Sequence, residues 1–308
     1  MKTPLLATSL LVLLVNAAAS PAPLQQTVDR AVAATCAEFT APALRPEQLA
    51  VTVIDLRGAE PVRAHHRGDE RHYPASVIKL CFLAYAHHLF ETGALTATPE
   101  LERALRDMTV HSYNDATATV VDYITGTTGG PELPDDELAA WHERRMAVTR
   151  WFEAQGYRNV LAVRKTWAEG PYGRELQDAL VHPPRRNFLS TNDTARLLHE
   201  IAEGRCVSPA RSAQMLELMR RDVAAAQVAA AGEDAEGAGF TGPALSPGMK
   251  LWSKAGWTSW TRHDAAVIEL PDGGRVILVT FTESTDHANN RKIIAAVARR
   301  ILAGLPPR

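Results

Sequence analysis

The sequence lacks the features of a small disulfide-stabilised protein or of a nucleic-acid binder. Its 308 residues include three cysteines, Cys36, Cys81 and Cys206, so one disulfide at most can form, and their spacing does not select the pair. Cys81 lies in an apolar run and is predicted to pack as a small buried residue. The net charge is only −2 and no block of five like charges occurs, which argues against nucleic acid as a partner. No residue spacing resembles a zinc site, so neither a metal nor a cofactor is predicted.

Long apolar runs are also scarce, apart from the first twenty residues, MKTPLLATSLLVLLVNAAAS. Lys2 supplies a positive start, residues 5–15 an apolar core, and Ala17 and Ala19 an A-x-A cleavage pattern, which is typical of a signal peptide. The apolar core is too short for a comfortable membrane span. We therefore predict that residues 1–20 are a signal peptide. The remaining residues 21–308 are expected to form one exported domain, periplasmic or extracellular, monomeric and without stable membrane insertion.

Strand-like segments lie near both ends of this domain. The β-branched segment QLAVTVIDLRG, ending at Gly58, predicts a strand. MKLWSKAG predicts another, and HDAAVIELPDGGRVILVTFTES predicts a hairpin that turns at PDGG. The last segment, NNRKIIAAVARRILAG, predicts a helix whose apolar face contains Ile293, Ile294, Val297, Ile301 and Leu302.

Between these ends the pattern is mostly helical. A helix buried on most faces is predicted from about Ala75 to Phe90, and further helices cover LERALRDM, DATATVVDYI, ELAAWHERRMAVTRWFEAQG and TNDTARLLHEIAEG. Two irregular segments interrupt them, residues 164–188 and residues 229–248. We thus predict an α/β (α+β) fold. An antiparallel sheet lobe (about residues 45–73 and 249–308) is joined to an inserted helical lobe (about residues 74–248), with a cleft between them.

Ser76 and Lys79, in YPASVIKLCF, form the most informative pattern in the chain. At a spacing of three on a helix, the amine can reach the hydroxyl. A serine hydroxyl is a weak nucleophile that needs a base, and a lysine can serve if burial or a neighbouring cation lowers its pKa. Taken alone, the pair is equally consistent with a non-catalytic arrangement, in which Ser76 is an ordinary residue at the start of a helix and Lys79 extends its amine to solvent.

Two further pairs follow in order along the chain, Ser112 with Asn114 and Lys254 with Gly256. Taken separately, Ser112 and Asn114 are residue types that commonly form turns. Lys254 and Gly256, taken separately, fit a solvated strand residue followed by a bulge. Together with Ser76 and Lys79 they match the ordered set S-x-x-K, S-x-N, K-x-G. Ser112 would relay a proton, Asn114 would orient Lys79 and hold the substrate amide, and Lys254 would attract a substrate carboxylate. The backbone N–H groups of Ser76 and Trp257 would form the oxyanion hole.

With these residues in place, the chain resembles the serine β-lactamase and penicillin-binding superfamily, and class A β-lactamases in particular. The segments RNFLSTNDTARLL and KAGWT…RHDAAVIELPDGGRVILVTFTE extend the likeness over nearly the whole mature chain. The resemblance implies a sheet lobe beside a helical lobe, an acyl-enzyme on Ser76, no metal, and a β-lactam or peptidoglycan-like substrate.

Three departures from the family pattern stand out. Tyr113 replaces the frequent Asp of the second pair. Ala255 replaces a Thr or Ser whose hydroxyl helps to hold the substrate carboxylate, so either Thr258 takes this role or the affinity is lower. The family's loop glutamate, which activates the deacylating water, falls on Gly173 in a literal match. Shifting the motif match slightly along the chain favours Glu175 as this base, with Glu169 as the other candidate. Either residue is also consistent with a solvated carboxylate in a loop.

The sequence therefore predicts a secreted serine hydrolase of the β-lactamase type. A peptidase-like enzyme with slow deacylation, and a non-catalytic sensor with the same fold, remain as alternatives.

Overall fold

The computed structural model describes residues 22–167, 169–223, 236 and 239–307. The predicted signal peptide, and residues 229–235, 237 and 238 of the irregular segment 229–248, lie outside these residues.

A six-stranded antiparallel sheet with the strand order β2-β1-β8-β7-β6-β5 forms the centre of the molecule. Its strands are β1 Leu49–Asp55, β2 Val62–His66, β5 Arg220–Arg221, β6 Lys250–Trp257, β7 Thr261–Glu269 and β8 Arg275–Glu283. A small second sheet pairs β3 Val160–Leu161 with β4 Phe188–Leu189. Because β1 lies beside β8, with Val53 opposite Leu278, the two ends of the chain meet in one sheet.

Helices cover both faces of this sheet. Within the described residues they are α1 Pro23–Glu38, α2 Lys79–Glu91, α3 Pro99–Val110, α4 Asn114–Thr125, α5 Asp135–Arg145, α6 Ala147–Ala154, α7 Gly173–Val181, α8 Thr191–Ala202, α9 Pro209–Met219 and α10 Lys292–Ala303. Short 3₁₀ turns occur at Pro46–Gln48, Ala75–Ile78 and Gly242–Ala244. The predicted α/β fold, with helices inserted between the two parts of the sheet, is confirmed.

Strand residues alternate between two apolar cores, as the period of two in a strand requires. Val53 of β1 packs with Val28 of α1 and Val297 of α10 on one face. Its neighbour Ile54 faces the other core, which contains most of α2. The alternation explains why β7 and β8 are almost wholly buried: helices cover both of their faces.

Three details differ from the sequence prediction. The segment 164–188, predicted to be irregular, contains α7, whose helical pattern is masked by the three prolines and two glycines of this segment. The predicted long helix from residue 137 to 156 is two helices, because α5 packs against α7 whereas α6 packs against α2 and β3. Helix α1 was not predicted; it packs against α10 and β2.

None of the helices in the described ranges combines the length and apolar character that a membrane crossing needs.

Candidate active site

Ser76 lies in a strained turn where the sheet meets the helical lobe. It is half-buried in the 3₁₀ turn Ala75–Ile78, immediately before α2. The preceding residue, Ala75, has φ +47°, a left-handed conformation that costs an alanine about 1–3 kcal/mol and that recurs at functional sites. The turn is thus held in place by its surroundings.

Two strands hold the segment before Ser76. The backbone N–H of Tyr73 donates to Glu283 of β8 at 3.2 Å, and His263 of β7 contacts the Tyr73 carbonyl through Nε2 at 2.9 Å. The Nδ1 atom of His263 accepts the Thr282 N–H, so Nε2 carries the proton and donates. Burial lowers the pKa of His263 to about 4, which keeps the ring neutral and fixes this arrangement.

The third pair of residues lies directly against Ser76. Gly256 of β6 packs so closely that a Cβ atom on it would lie 2.6 Å from Ser76 N and 2.9 Å from Val77 N. Only a glycine allows this approach of strand and turn. The contact brings Gly256, the residue before Trp257, beside the backbone amide of Ser76. The N–H groups of Ser76 and Trp257 stay the predicted oxyanion hole.

Lys79 is buried without a carboxylate partner among the described residues. Only 1% of it is exposed, and its amine lies 2.6 Å from the Ser112 carbonyl, 3.2 Å from Ser112 Oγ and 3.0 Å from Asn114 Oδ1. The pKa of Lys79 is lowered to about 6; burial is the largest cause, and repulsion from the Lys254 ammonium is the second. The amine is therefore mostly neutral at pH 7, as a general base must be.

Ser112 joins the two lysines. Its φ of +61° is again left-handed, and the Lys254 ammonium donates to Ser112 Oγ at 2.9 Å. Since Ser112 Oγ also lies within reach of the Lys79 amine, the three groups form a continuous hydrogen-bonded chain from Lys254 to Lys79. Such a chain can move a proton.

Ser76 and Lys79 share one side of the turn, because residues three apart eclipse each other in a 3₁₀ geometry. Among the described residues, no hydrogen bond joins Ser76 Oγ to the Lys79 amine. Catalytic hydrogen bonds are often long in substrate-free sites and tighten when substrate binds. Proton abstraction thus requires the amine to turn from Ser112 towards Ser76.

The remaining predicted residues surround this centre. Asn114 begins α4 and accepts from Lys79, while Tyr113 is exposed and stacks on His111. Thr258 Oγ1 lies 2.9 Å from Thr261 Oγ1. It also lines a cavity of about 390 Å³ beside Tyr73, whose walls include Trp260, Glu169 and Glu175.

Glu175 is held by two cations, and no hydrogen bond or ion pair joins it to the Lys79 amine among the described residues. Its Oε1 atom accepts from Arg145 Nη2 and lies 3.1 Å from Lys165 Nζ, and the residue is 3% exposed. Asp122 pairs with the same two cations. Glu169 is exposed. The structure thus places both proposed base residues at the cavity but brings neither to Lys79 by a direct contact.

Lys254 has a carboxylate partner that sequence analysis missed. Glu236 forms an ion pair with the buried Lys254 amine, accepts the Ala255 N–H at 2.9 Å, and lies 3.5 Å from Arg221. Burial lowers the pKa of Lys254, while Glu236 opposes that change. Glu236 belongs to a low-complexity segment that carries no recognisable pattern, so no sequence signal marked it.

One group of side chains has the composition of a metal site. Asp178 Oδ1 accepts from Nδ1 of His142 at 2.9 Å and of His182 at 2.8 Å, and its other oxygen pairs with Arg164. These hydrogen bonds occupy both carboxylate oxygens, and the guanidinium already neutralises the charge. The group therefore acts as a clamp between α5 and α7.

All three cysteines are free. Cys81 and Cys206 are buried in the core that contains α2, and burial raises the thiol pKa of Cys206 to about 12. The buried position of Cys81 agrees with the packing expected from the sequence.

Solved structures share this fold over most of their length. A β-lactamase from Sphaerobacter thermophilus superposes with a TM-score of 0.63 at 20% identity, covering 92% of this chain and 99% of that one. PBP-A gives 0.61 at 18% identity, with 91% and 94% covered. A variant of the class A β-lactamase of the last common ancestor of Gram-negative bacteria gives 0.62 at 18% identity, with 92% and 97% covered.

No curated protein sequence matches the chain. The model of the β-lactamase enzyme family, in contrast, matches residues 31–305, a range that includes Ser76, Lys79, Ser112 and Lys254 and nearly all of the described fold. The protein belongs to the β-lactamase enzyme family.

Proposed function

We propose that the protein is a serine acyl-transfer enzyme that opens the amide of a β-lactam, or of a peptidoglycan-like peptide, by forming an ester on Ser76. The observation that carries this proposal is the buried chain of Lys79, Ser112 and Lys254 beside the Ser76–Gly256 contact. A mutant of PBP-A, which shares the fold, is described as an acyl-enzyme complex with penicillin G.

The first step is attack on the amide carbonyl. Neutral Lys79 takes the Ser76 proton while Ser76 Oγ bonds to the carbonyl carbon, and the backbone N–H groups of Ser76 and Trp257 stabilise the oxyanion. The C–N bond then breaks, and Ser112 passes a proton to the leaving nitrogen while it takes up the proton that Lys79 received from Ser76, which leaves Lys79 neutral again. Lys254 donates to Ser112 and supplies the positive field that favours this transfer.

The second step, hydrolysis of the ester, is expected to be slow. A base must activate the attacking water, and the predicted base Glu175 is already paired with Arg145 and Lys165. Both cations contact Oε1 and hold the carboxylate in place, and no direct contact brings it to the Lys79 amine. The geometry therefore favours the slowly deacylating version of the enzyme over an efficient β-lactamase.

Intact-mass spectrometry over time after mixing with benzylpenicillin tests the proposal. The expected result is a covalent adduct that persists for minutes and is absent in Ser76→Ala. A matched control, Ser208→Ala at the start of α9, should acylate normally. A transient adduct with fast turnover would support an efficient β-lactamase, and the absence of any adduct with both benzylpenicillin and its methyl ester would support a non-catalytic sensor.

Export to the periplasm or the medium, after removal of residues 1–20, remains part of this proposal. It rests on the leader pattern alone.

A further inference from the structure

The Lys254 amine has no free donor for a ligand. An ammonium group has three N–H donors, and those of Lys254 meet Ser112 Oγ, the Ala255 carbonyl and Glu236. The side chain is fully buried. A substrate carboxylate could reach this amine only by displacing one of these partners.

Glu236 occupies the position that such a carboxylate would take. One of its oxygens meets Lys254, and the other accepts the Ala255 backbone N–H and faces Arg221. Two cations and one amide thus surround a single carboxylate whose side chain is 6% exposed. This donor set suits an anion, and the chain supplies the anion itself.

The surrounding charges leave little attraction for a second anion. Arg221 also donates to the carbonyls of Ser253, Thr109 and Val110, so its donors are largely used. Buried Asp264 lies nearby, and burial and the charge of Glu236 are among the causes that raise its pKa to about 6. An entering carboxylate would face Glu236 at close range, and like charges in a buried site disfavour binding.

We propose that Glu236 is a specificity-determining residue, whose carboxylate fills the Lys254 site and directs the enzyme towards substrates that are uncharged at that end. This inference rests on the proposed function for the identity of the reaction. Ala255 fits it, since a buried alanine at this position offers a substrate carboxylate no hydroxyl.

Non-covalent binding tests the inference separately from catalysis. In a Ser76→Ala background, calorimetry would compare benzylpenicillin with its uncharged methyl ester, a matched pair of ligands. We expect the ester to bind at least tenfold more tightly than the acid. Adding Glu236→Gln should shift the ratio at least tenfold towards the acid, whereas Glu217→Gln, at an exposed position of α9, should leave it unchanged.

Several results would overturn the inference: tighter binding of the acid by the Ser76→Ala protein, no detectable binding of the ester, or a ratio that Glu236→Gln does not alter. If Glu236→Gln does not fold, the comparison of acid with ester in the Ser76→Ala protein still tests the inference. A failure of the proposed function is distinguishable, since it appears as a missing adduct on Ser76 with the methyl ester as well as with the acid in the otherwise unchanged chain.

Discussion

Two buried lysines of this protein have opposite surroundings. Lys79 is 1% exposed, and its polar partners among the described residues are a carbonyl, a hydroxyl and an amide oxygen, all uncharged. Lys165 is 7% exposed and pairs with two carboxylates, those of Asp122 and Glu175. The two side chains are alike in chemistry and burial but differ in the charge beside them.

The difference separates a reactive lysine from a structural one. Burial disfavours the charged form of an amine. At Lys79, which contacts no carboxylate among the described residues, burial and the charge of Lys254 outweigh the opposing charge of Glu236 and lower the pKa to about 6. Ion pairs with carboxylates instead allow a lysine to join elements of the fold. Lys165 links α4, through Asp122, to α7, through Glu175. Replacing each lysine in turn should therefore affect different properties.

The largest effect is expected from Lys79→Met. Methionine fills a similar volume without a basic group, so the acylation rate should fall by roughly 10²–10⁴-fold, the usual contribution of a general base. Stability should change little, since the replacement removes a desolvated amine and no ion pair. Stopped-flow acylation and thermal unfolding would measure the two properties.

The same substitution at Lys165 should do the reverse. Lys165→Met leaves Asp122 and Glu175 with one cation, Arg145, in place of two, and breaking a buried pair destabilises by about 3–5 kcal/mol. Urea unfolding would show this loss, while the acylation rate of the folded protein should stay within about threefold of the parent. A stable Lys165→Met protein that no longer acylates would contradict the claim that Lys165 is a structural lysine and not a reactive one.

Gly256→Ala tests the contact between β6 and the serine. The added Cβ would lie 2.6 Å from Ser76 N, so the turn must shift, and displacements of about 1 Å can lower a rate by about 10²-fold. Gly58→Ala is the control, because its Cβ would meet only an atom at 3.6 Å. Equal acylation by the two variants would show that this contact does not position Ser76.

The smallest effect on chemistry is expected for Glu175→Gln. An amide keeps part of the hydrogen bonding to Arg145 and Lys165, so stability should fall by about 1–3 kcal/mol. Deacylation, followed by the decay of the adduct mass, should change by less than about threefold. A deacylation rate that falls by roughly 10²-fold would identify Glu175 as the general base instead.

Local patterns predicted much of this structure. The hairpin of β7 and β8, the buried helix α2 and the apolar face of α10 follow from residues close in sequence, and the three motif pairs follow from their order. Helix α7 was missed because the glycines and prolines around it obscure its periodicity.

Long-range ion pairs were beyond such reasoning. The partners of Glu175 and of Lys254 come from segments that are separate in sequence, Arg145 from α5 and Glu236 from a low-complexity stretch. Neither segment has a pattern that specifies its partner, because such pairing depends on the folded arrangement of the whole chain. The three motif pairs that the sequence singled out lie together in the structure, whereas the carboxylates beside them could not be predicted.

The pH dependence of acylation tests the central claim, that Lys79 is neutral, most directly. Because the base acts only when deprotonated, the rate should rise with pH, reach half its maximum near pH 6, the Lys79 pKa, and stay level from about pH 7.5 to 9. A rate that keeps climbing above pH 9, as for a lysine with its ordinary pKa of about 10.4, would contradict the account.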